Sequence, residues 1–223
     1  MKIDILTIFP EFTNSIKEYS MIKRGIENNI IEINSVDIRD FTENKHKKVD
    51  DYTYGGGPGM LMTPQPLADS IKSVKTENSH VIYLSPRGRV FSQEISKELS
   101  NYEHLILLCG HYEGIDQRII DKYVDEELSI GDYVLTGGEL GAMVVIDTTI
   151  RHLPGILGNQ LSKDIESFDN NLLEYDQYTR PEVFEGMRVP EVLLSGNHKN
   201  IEEFRKESRI KNTRKTRPEL LKK

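Results

Sequence analysis

Three short segments carry residue types from which a ligand pocket can be built. They are Tyr83-Leu84-Ser85-Pro86-Arg87-Gly88, Cys109-Gly110-His111-Tyr112-Glu113-Gly114, and the run Ser129-Ile130-Gly131-Asp132-Tyr133-Val134-Leu135-Thr136-Gly137-Gly138-Glu139. Each is an apolar stretch that breaks into a polar turn containing glycine. Glycine lets a ligand approach the main chain closely, and a strand tip leaves N–H and C=O groups free to read a flat heteroaromatic ring. One such turn is an ordinary strand-to-helix junction. Three in series point to one shared pocket, because ligands of open α/β sheets bind beyond the carboxyl ends of strands. Within them, Glu113 reads equally as a ligand contact and as a hydrogen-bonded turn residue, and His111 alone reads first as structural.

Other groups have the chemistry for proton transfer or charge stabilisation. Glu166 and Asp169 bracket Ser167-Phe168 in a polar stretch. A carboxylate there is either a general base or a solvated loop residue. Arg151 ends a predicted helix just before Pro154-Gly155. It either caps the helix dipole or aims a cation at an anionic transition state. Gly55-Gly56-Gly57-Pro58-Gly59 looks like a phosphate loop but lacks the Gly-Lys-Ser/Thr ending and a preceding strand, so it reads as a flexible or backbone-approach loop. The single cysteine, Cys109, excludes an internal disulfide framework and a multi-cysteine metal site, and suits a reducing cytoplasm.

These groups need a frame. Short apolar runs alternate with helical patterns through the first 150 residues, which predicts an α/β domain. The predicted strands are Lys2–Ile8, Ile30–Asp37, Val81–Ser85, Leu105–Cys109 and Gly131–Leu135. The predicted helices are Pro10–Asn28, Thr63–Lys75, Ser92–Leu99, Asp116–Val124 and Gly138–His152. The unbroken run Leu105-Ile106-Leu107-Leu108 suits a parallel sheet covered on both faces. Two irregular segments, Lys45–Gly59 and Asn159–Asn171, interrupt the order, and the second reads as a mobile linker. From Arg180 the chain is punctuated by proline and then helical from Asn200 to about Lys211. The 223 residues thus divide into an α/β body over 1–158, a linker over 159–171 and a helical part over 172–223.

The formal net charge of −7 argues against a polyanionic partner until its distribution is read. From Lys199 to Lys223 there are ten Lys/Arg against four Glu, a net of +6. The preceding 198 residues carry 19 basic and 32 acidic residues, a net of −13. That asymmetry suits a segment docking a polyanion, or a solvated helix end. No run of 18 apolar residues occurs, so no membrane-spanning helix is expected. Met1–Pro10, with Asp4 inside it, reads as a first strand and not a signal peptide.

Taken together in order, these residues closely resemble the bacterial tRNA (guanine-N1-)-methyltransferases, which methylate guanosine 37 beside the anticodon. The resemblance is carried by Ile8-Phe9-Pro10, Tyr54 to Met60, Leu84-Ser85-Pro86, Cys109 to Gly114, Ser129 to Leu140, Leu153-Pro154-Gly155, Tyr178 to Glu182, Leu193 to His198 and Arg217 to Leu221, essentially the whole chain. It implies a knotted α/β domain of the SPOUT trefoil-knot class with a small helical C-terminal domain that grips tRNA. It implies a homodimer whose active sites draw on both subunits. It implies S-adenosylmethionine in the knot, held at Tyr83–Pro86, Gly110, Glu113 and Ser129–Leu135 (Asp132 included), with Gly137 and Gly138 nearby. Magnesium dependence also belongs to the family, with no ligand that this sequence places. The implied substrate is a tRNA with G at positions 36 and 37. Two departures stand out: His111 where the family often has Arg, and Glu166 where its proposed base is Asp.

The implied chemistry is demanding. Guanine N1 carries a proton and is a poor nucleophile until that proton leaves, which places negative charge on O6. A base is needed at N1 and a cation near O6. Glu166, with Asp169 as substitute, suits the first role and Arg151 the second. Two other readings stay open on the sequence: methylation of a ribose 2′-hydroxyl, which needs no N1 base, and an RNA-binding protein with a vestigial pocket.

Overall fold

The apolar runs assemble into one parallel sheet in a computed structural model that describes residues 1–157 and 166–222. Its strands are β1 (Lys2–Thr7), β2 (Glu32–Asp37), β5 (Ser79–Val90), β6 (His104–Cys109) and β7 (Glu126–Ser129), in the order β2-β1-β6-β5-β7. Two further strands, β3 (Asp50–Asp51) and β4 (Leu61–Met62), form a small antiparallel ladder. The helices of this part are α1 (Pro10–Asn14), α2 (Ser20–Glu27), α3 (Pro64–Val74), α4 (Gln93–Leu99), α5 (Gln117–Tyr123) and α6 (Glu139–Ile150).

Alternating residues of each strand enter opposite cores, as the two-residue strand period requires. Ile3, Ile5, Ile82, Leu84, Leu105 and Leu107 pack with α4 and α6 residues such as Leu99, Val145 and Ile146. Leu6, Val81, Tyr83, Ile106 and Leu108 pack with Leu67, Ile71 and Ile119 from α3 and α5. Both faces of the sheet are therefore covered, which is why the strand sequences read as continuous apolar runs. Capping follows local chemistry. The Ser92 hydroxyl accepts from the Ile95 amide at 3.4 Å, and the Asp116 carboxylate accepts from the Arg118 amide at 2.9 Å.

Three expectations are corrected. Gly131–Leu135 is not a strand: the edge position beside β5 is taken by Glu126–Ser129, and Gly131, at φ +149°, turns the chain away. Pro10–Asn28 is not one helix. Ser15–Glu18 is a 3-10 turn, and an extended Tyr19 precedes α2. Ile16 and Ile22 both face the core, yet six residues would set them about 120° apart on a continuous helix, and the break brings both into one core. The irregular Lys45–Gly59 segment enters a hairpin whose arms are β3 and β4, with the glycine run at its tip.

β5 runs past its predicted end at Ser85. Leu84 and Arg89 both stand opposite Leu128 of β7, so Ser85–Gly88 bulges out of the ladder. Glycine is needed at 88: a Cβ there would lie 2.4 Å from the Glu127 carbonyl carbon.

The chain divides into two units, Met1–Gly158 and Asn159–Lys223. The sheet belongs to the first. In the second, β8 (Val183–Phe184) and β9 (Met187–Arg188) form a hairpin across Glu185 and Gly186, both at positive φ. α7 (Glu191–Leu194) and the long α8 (His198–Thr216) follow. α8 starts two residues before the predicted Asn200 and runs five past Lys211. It is held to the segment before it mainly by polar bonds. The Ser208 hydroxyl donates to the Asp176 carboxylate at 3.0 Å, and Asn212 donates to the same carboxylate at 2.9 Å. Those two bonds hold the Asp176 carboxyl below its usual range. The expected linker begins outside the described residues, as does its Asp164.

Candidate cofactor cleft

A cleft of about 410 Å³ opens at the carboxyl ends of β5, β6 and β7. Its walls come from the β5 bulge, the turn after β6 and the chain between β7 and α6. The expected contact residues Tyr83–Pro86, Gly110, Glu113, Ser129, Ile130, Gly131, Tyr133, Val134, Leu135, Gly137 and Gly138 all line it; Asp132 does not. Asp132 sits exposed at the tip of a turn closed by the Tyr133 amide on the Gly131 carbonyl at 2.9 Å.

The walls are laced to each other through main chain. The Gly138 amide donates to the Gly110 carbonyl at 3.0 Å, and His111 bridges to Gly137. Gly138 needs its missing side chain, since a Cβ would lie 2.8 Å from the Cys109 Cα. The hairpin tip joins them. The Glu113 amide donates to the Met60 carbonyl and the Met62 amide to the Gly114 carbonyl, each at 3.0 Å. Gly59, at φ +84°, passes so close that a Cβ would sit 2.5 Å from Glu113 Cγ. Close approach is thus confined to Gly59; at Gly55 and Gly56 a Cβ would meet nothing within 4 Å. Among the described residues, the amides of Val134, Leu135 and Thr136 make no hydrogen bond.

One buried acid anchors the arrangement. Glu139, the first residue of α6, is 5% exposed. Its carboxylate accepts from the Thr7 hydroxyl at 2.6 Å and faces His111 Nε2 at 2.8 Å. Burial pushes its carboxyl up, but the bonds to His111 and Thr7 outweigh that and hold it below the usual range. The phenol of Tyr83 is raised by burial and by the nearby Glu127 charge. The Cys109 thiol is raised by complete burial and by Glu139. Glu139 and Thr7 were missed in the sequence. The signal was present in Thr-Gly-Gly-Glu, an acid on the first turn of an apolar helix, where the helix dipole favours negative charge.

Arg151 does not line the cleft. It caps the C-terminal end of α6, while the cleft lies at its N-terminal end. The 12 residues of α6 put about 18 Å between those ends. Glu166 belongs to the second unit, where its carbonyl accepts from Arg209 Nη2 at 3.5 Å. The side chain of Asp169 lies outside what the structure describes. Among the described residues, no cluster of three or more His, Cys, Asp or Glu side chains is placed to hold a metal ion. None of their helices is long and apolar enough to cross a membrane.

Beside the cleft, the outer face of α6 is apolar but exposed. Leu140 and Val144 are 49% and 44% exposed, and they share a shallow groove with Ile16, Tyr19, Ile22 and Met143.

The family model described as tRNA (Guanine-1)-methyltransferase TrmD matches residues 1–223. A tRNA (guanine-N(1)-)-methyltransferase of Clostridioides difficile (strain 630) is 56% identical, covering 100% of this chain and 98% of its own length. Its namesakes from Clostridium beijerinckii and Caldanaerobacter subterraneus subsp. tengcongensis are 57% and 55% identical over 100% of this chain and 93% and 92% of theirs.

Proposed function

Because the chain belongs to the tRNA (guanine-1)-methyltransferase family, we propose the following account of how its residues carry a methyl group from S-adenosylmethionine to N1 of guanosine 37 in tRNA. The cleft suits the cofactor. Leu84, Leu128, Ile130 and Leu135 give apolar walls for a purine, and Val134–Thr136 present unpaired main-chain donors at its edge. Those unpaired amides are the observation that carries the cofactor assignment. When bound, the sulfonium supplies the methyl group.

The protein's own task is alignment and proton handling. Glu166 takes the proton from guanine N1, with Asp169 its substitute. Arg151 stabilises the charge that appears on O6. A positioned base contributes roughly 10²–10⁴-fold, and a preorganised cation a comparable factor. The length of α6 between Arg151 and the cleft supports a homodimer in which one subunit's Arg151 serves the other's cleft. The exposed apolar face of α6 is the surface for that pairing. The trefoil knot belongs to the same reading; the lacing of Gly110 to Gly138 supports it. The second unit, as a tRNA-gripping domain joined by a mobile linker, offers exposed Lys199, Lys206, Lys211, Arg214 and Lys215 to phosphate. The setting is cytoplasmic. Magnesium is given no ligand and no step.

The test is methyl transfer to a tRNA transcript with G at positions 36 and 37, read by nucleoside analysis. The expected product is 1-methylguanosine, and its absence sinks the reading. Glu166→Gln should slow single-turnover transfer by roughly 10²-fold or more. A variant with near-full rate removes Glu166 as the base and moves the question to Asp169→Asn.

A further inference from the structure

We propose that Arg87 anchors the carboxylate of the cofactor's amino-acid end, an assignment that rests on the cofactor reading above. Among the described residues, Arg87 is the only Lys or Arg lining the cleft. An adenosyl cofactor ending in an α-amino acid brings a carboxylate into that cleft, and a guanidinium is the side chain best matched to it.

The bulge makes this residue available. A regular β5 would keep position 87 in the ladder against β7. The slip between Leu84 and Arg89 lifts Ser85–Gly88 out of it, and Gly88 lets the bulge fold flush against the Glu127 main chain. The Ser85 hydroxyl accepts from the Arg87 amide at 3.2 Å and fixes the turn.

The guanidinium is oriented but not consumed. Nη2 alone makes its bonds, to Gln117 Oε1 at 3.4 Å and Glu127 Oε2 at 3.3 Å, both long for a charge-assisted pair. Among the described residues, Nε and Nη1 make none, and the side chain is 62% exposed. Glu127 therefore holds the fork from behind while leaving donors for an incoming carboxylate. Gln117 lines the cleft beside it. Arg87 is in this account a binding residue for the amino-acid end and has no part in reading the purine.

The experiment compares two probes on wild type, Arg87→Ala and Arg87→Lys by calorimetry. S-adenosylhomocysteine carries the amino-acid end; 5′-methylthioadenosine lacks it. Arg87→Ala should weaken S-adenosylhomocysteine about tenfold or more and leave 5′-methylthioadenosine within about twofold. Arg87→Lys, which keeps the charge, should fall between. Equal losses for both probes would mean that Arg87 only shapes the wall, and no loss for either would mean that it touches nothing bound there. Either outcome overturns the proposal, as would a loss confined to tRNA affinity. If wild type binds neither probe, the cofactor reading itself has failed.

Discussion

Removing the Glu139 carboxylate is the sharpest test of how the cleft is held. Glu139→Ala leaves the Thr7 hydroxyl without its acceptor and His111 Nε2 without its partner, at a place where the Glu139 and His111 side chains are only 6% and 15% exposed. Each lost bond to a charged group, with a polar atom stranded, costs about 1–3 kcal/mol. His111 can recover part of its loss by reaching water, so the sum is about 2–4 kcal/mol. In a chain of this size that lowers the thermal midpoint by about 5–15 °C. Glu139→Gln keeps an acceptor for Thr7 and should lose roughly half as much. Thermal and urea unfolding at fixed protein concentration measure both. An alanine variant within about 2 °C of wild type would refute the reasoning. A pH signature separates charge from shape. Glu139 has its folded carboxyl held low, so its contribution is complete above the unfolded value of about 4.3 and is lost as pH falls through the lower folded value. Glu139→Gln should lack that part of the acid slope.

Gly88→Ala forces a Cβ to 2.4 Å from the Glu127 backbone and should cost about 1–3 kcal/mol by urea unfolding, with weaker cofactor binding by calorimetry; an unchanged midpoint would mean the bulge can open freely. Removing 199–223 should weaken tRNA binding and flatten its dependence on salt, and an unchanged slope would show that the basic segment is only solvated. Cys109, fully buried with its thiol raised, should react with thiol reagents only at the rate of unfolding. The proposed pairing predicts a dimeric wild type and a monomeric Val144→Asp by sedimentation; a monomeric wild type would overturn the pairing, and a persisting dimer in the variant would place the interface elsewhere.

The parallel sheet was legible because its strands are buried on both faces and read as plain apolar runs. The three cleft segments were legible because glycine and proline mark where those strands stop. Gly131–Leu135 misled because Tyr133 and Val134 have strand-forming side chains, yet they are exposed on a turn that Gly131 starts. The helix break at Tyr19 was hidden because α1 and α2 each look helical alone, and only the shared core for Ile16 and Ile22 reveals the kink. At Ser85–Gly88, Pro86 and Gly88 mark the break, but that β5 resumes beyond it depends on where β7 runs past it. The Thr7–Glu139 bond joins residues 132 positions apart, which no local pattern can announce. The catalytic roles proposed for Arg151 and Glu166 rest on residue type and on resemblance; in one chain Arg151 stands at the end of α6 away from the cleft.

The lacing of Gly110 to Gly138, with the proposed cofactor contact through the main chain of Val134–Thr136, has a consequence for heritable change. A recognition surface made of main chain is shared by every side chain that can be placed on it. Substitutions at Val134 or Leu135 other than proline alter fit but keep the amide donors. An inhibitor built to engage those amides would therefore meet little escape by ordinary side-chain exchange. Resistance would have to arise at Gly59, Gly88 or Gly138, where an added methyl group meets neighbouring atoms at 2.5, 2.4 and 2.8 Å. Those same changes would damage the enzyme that carries them.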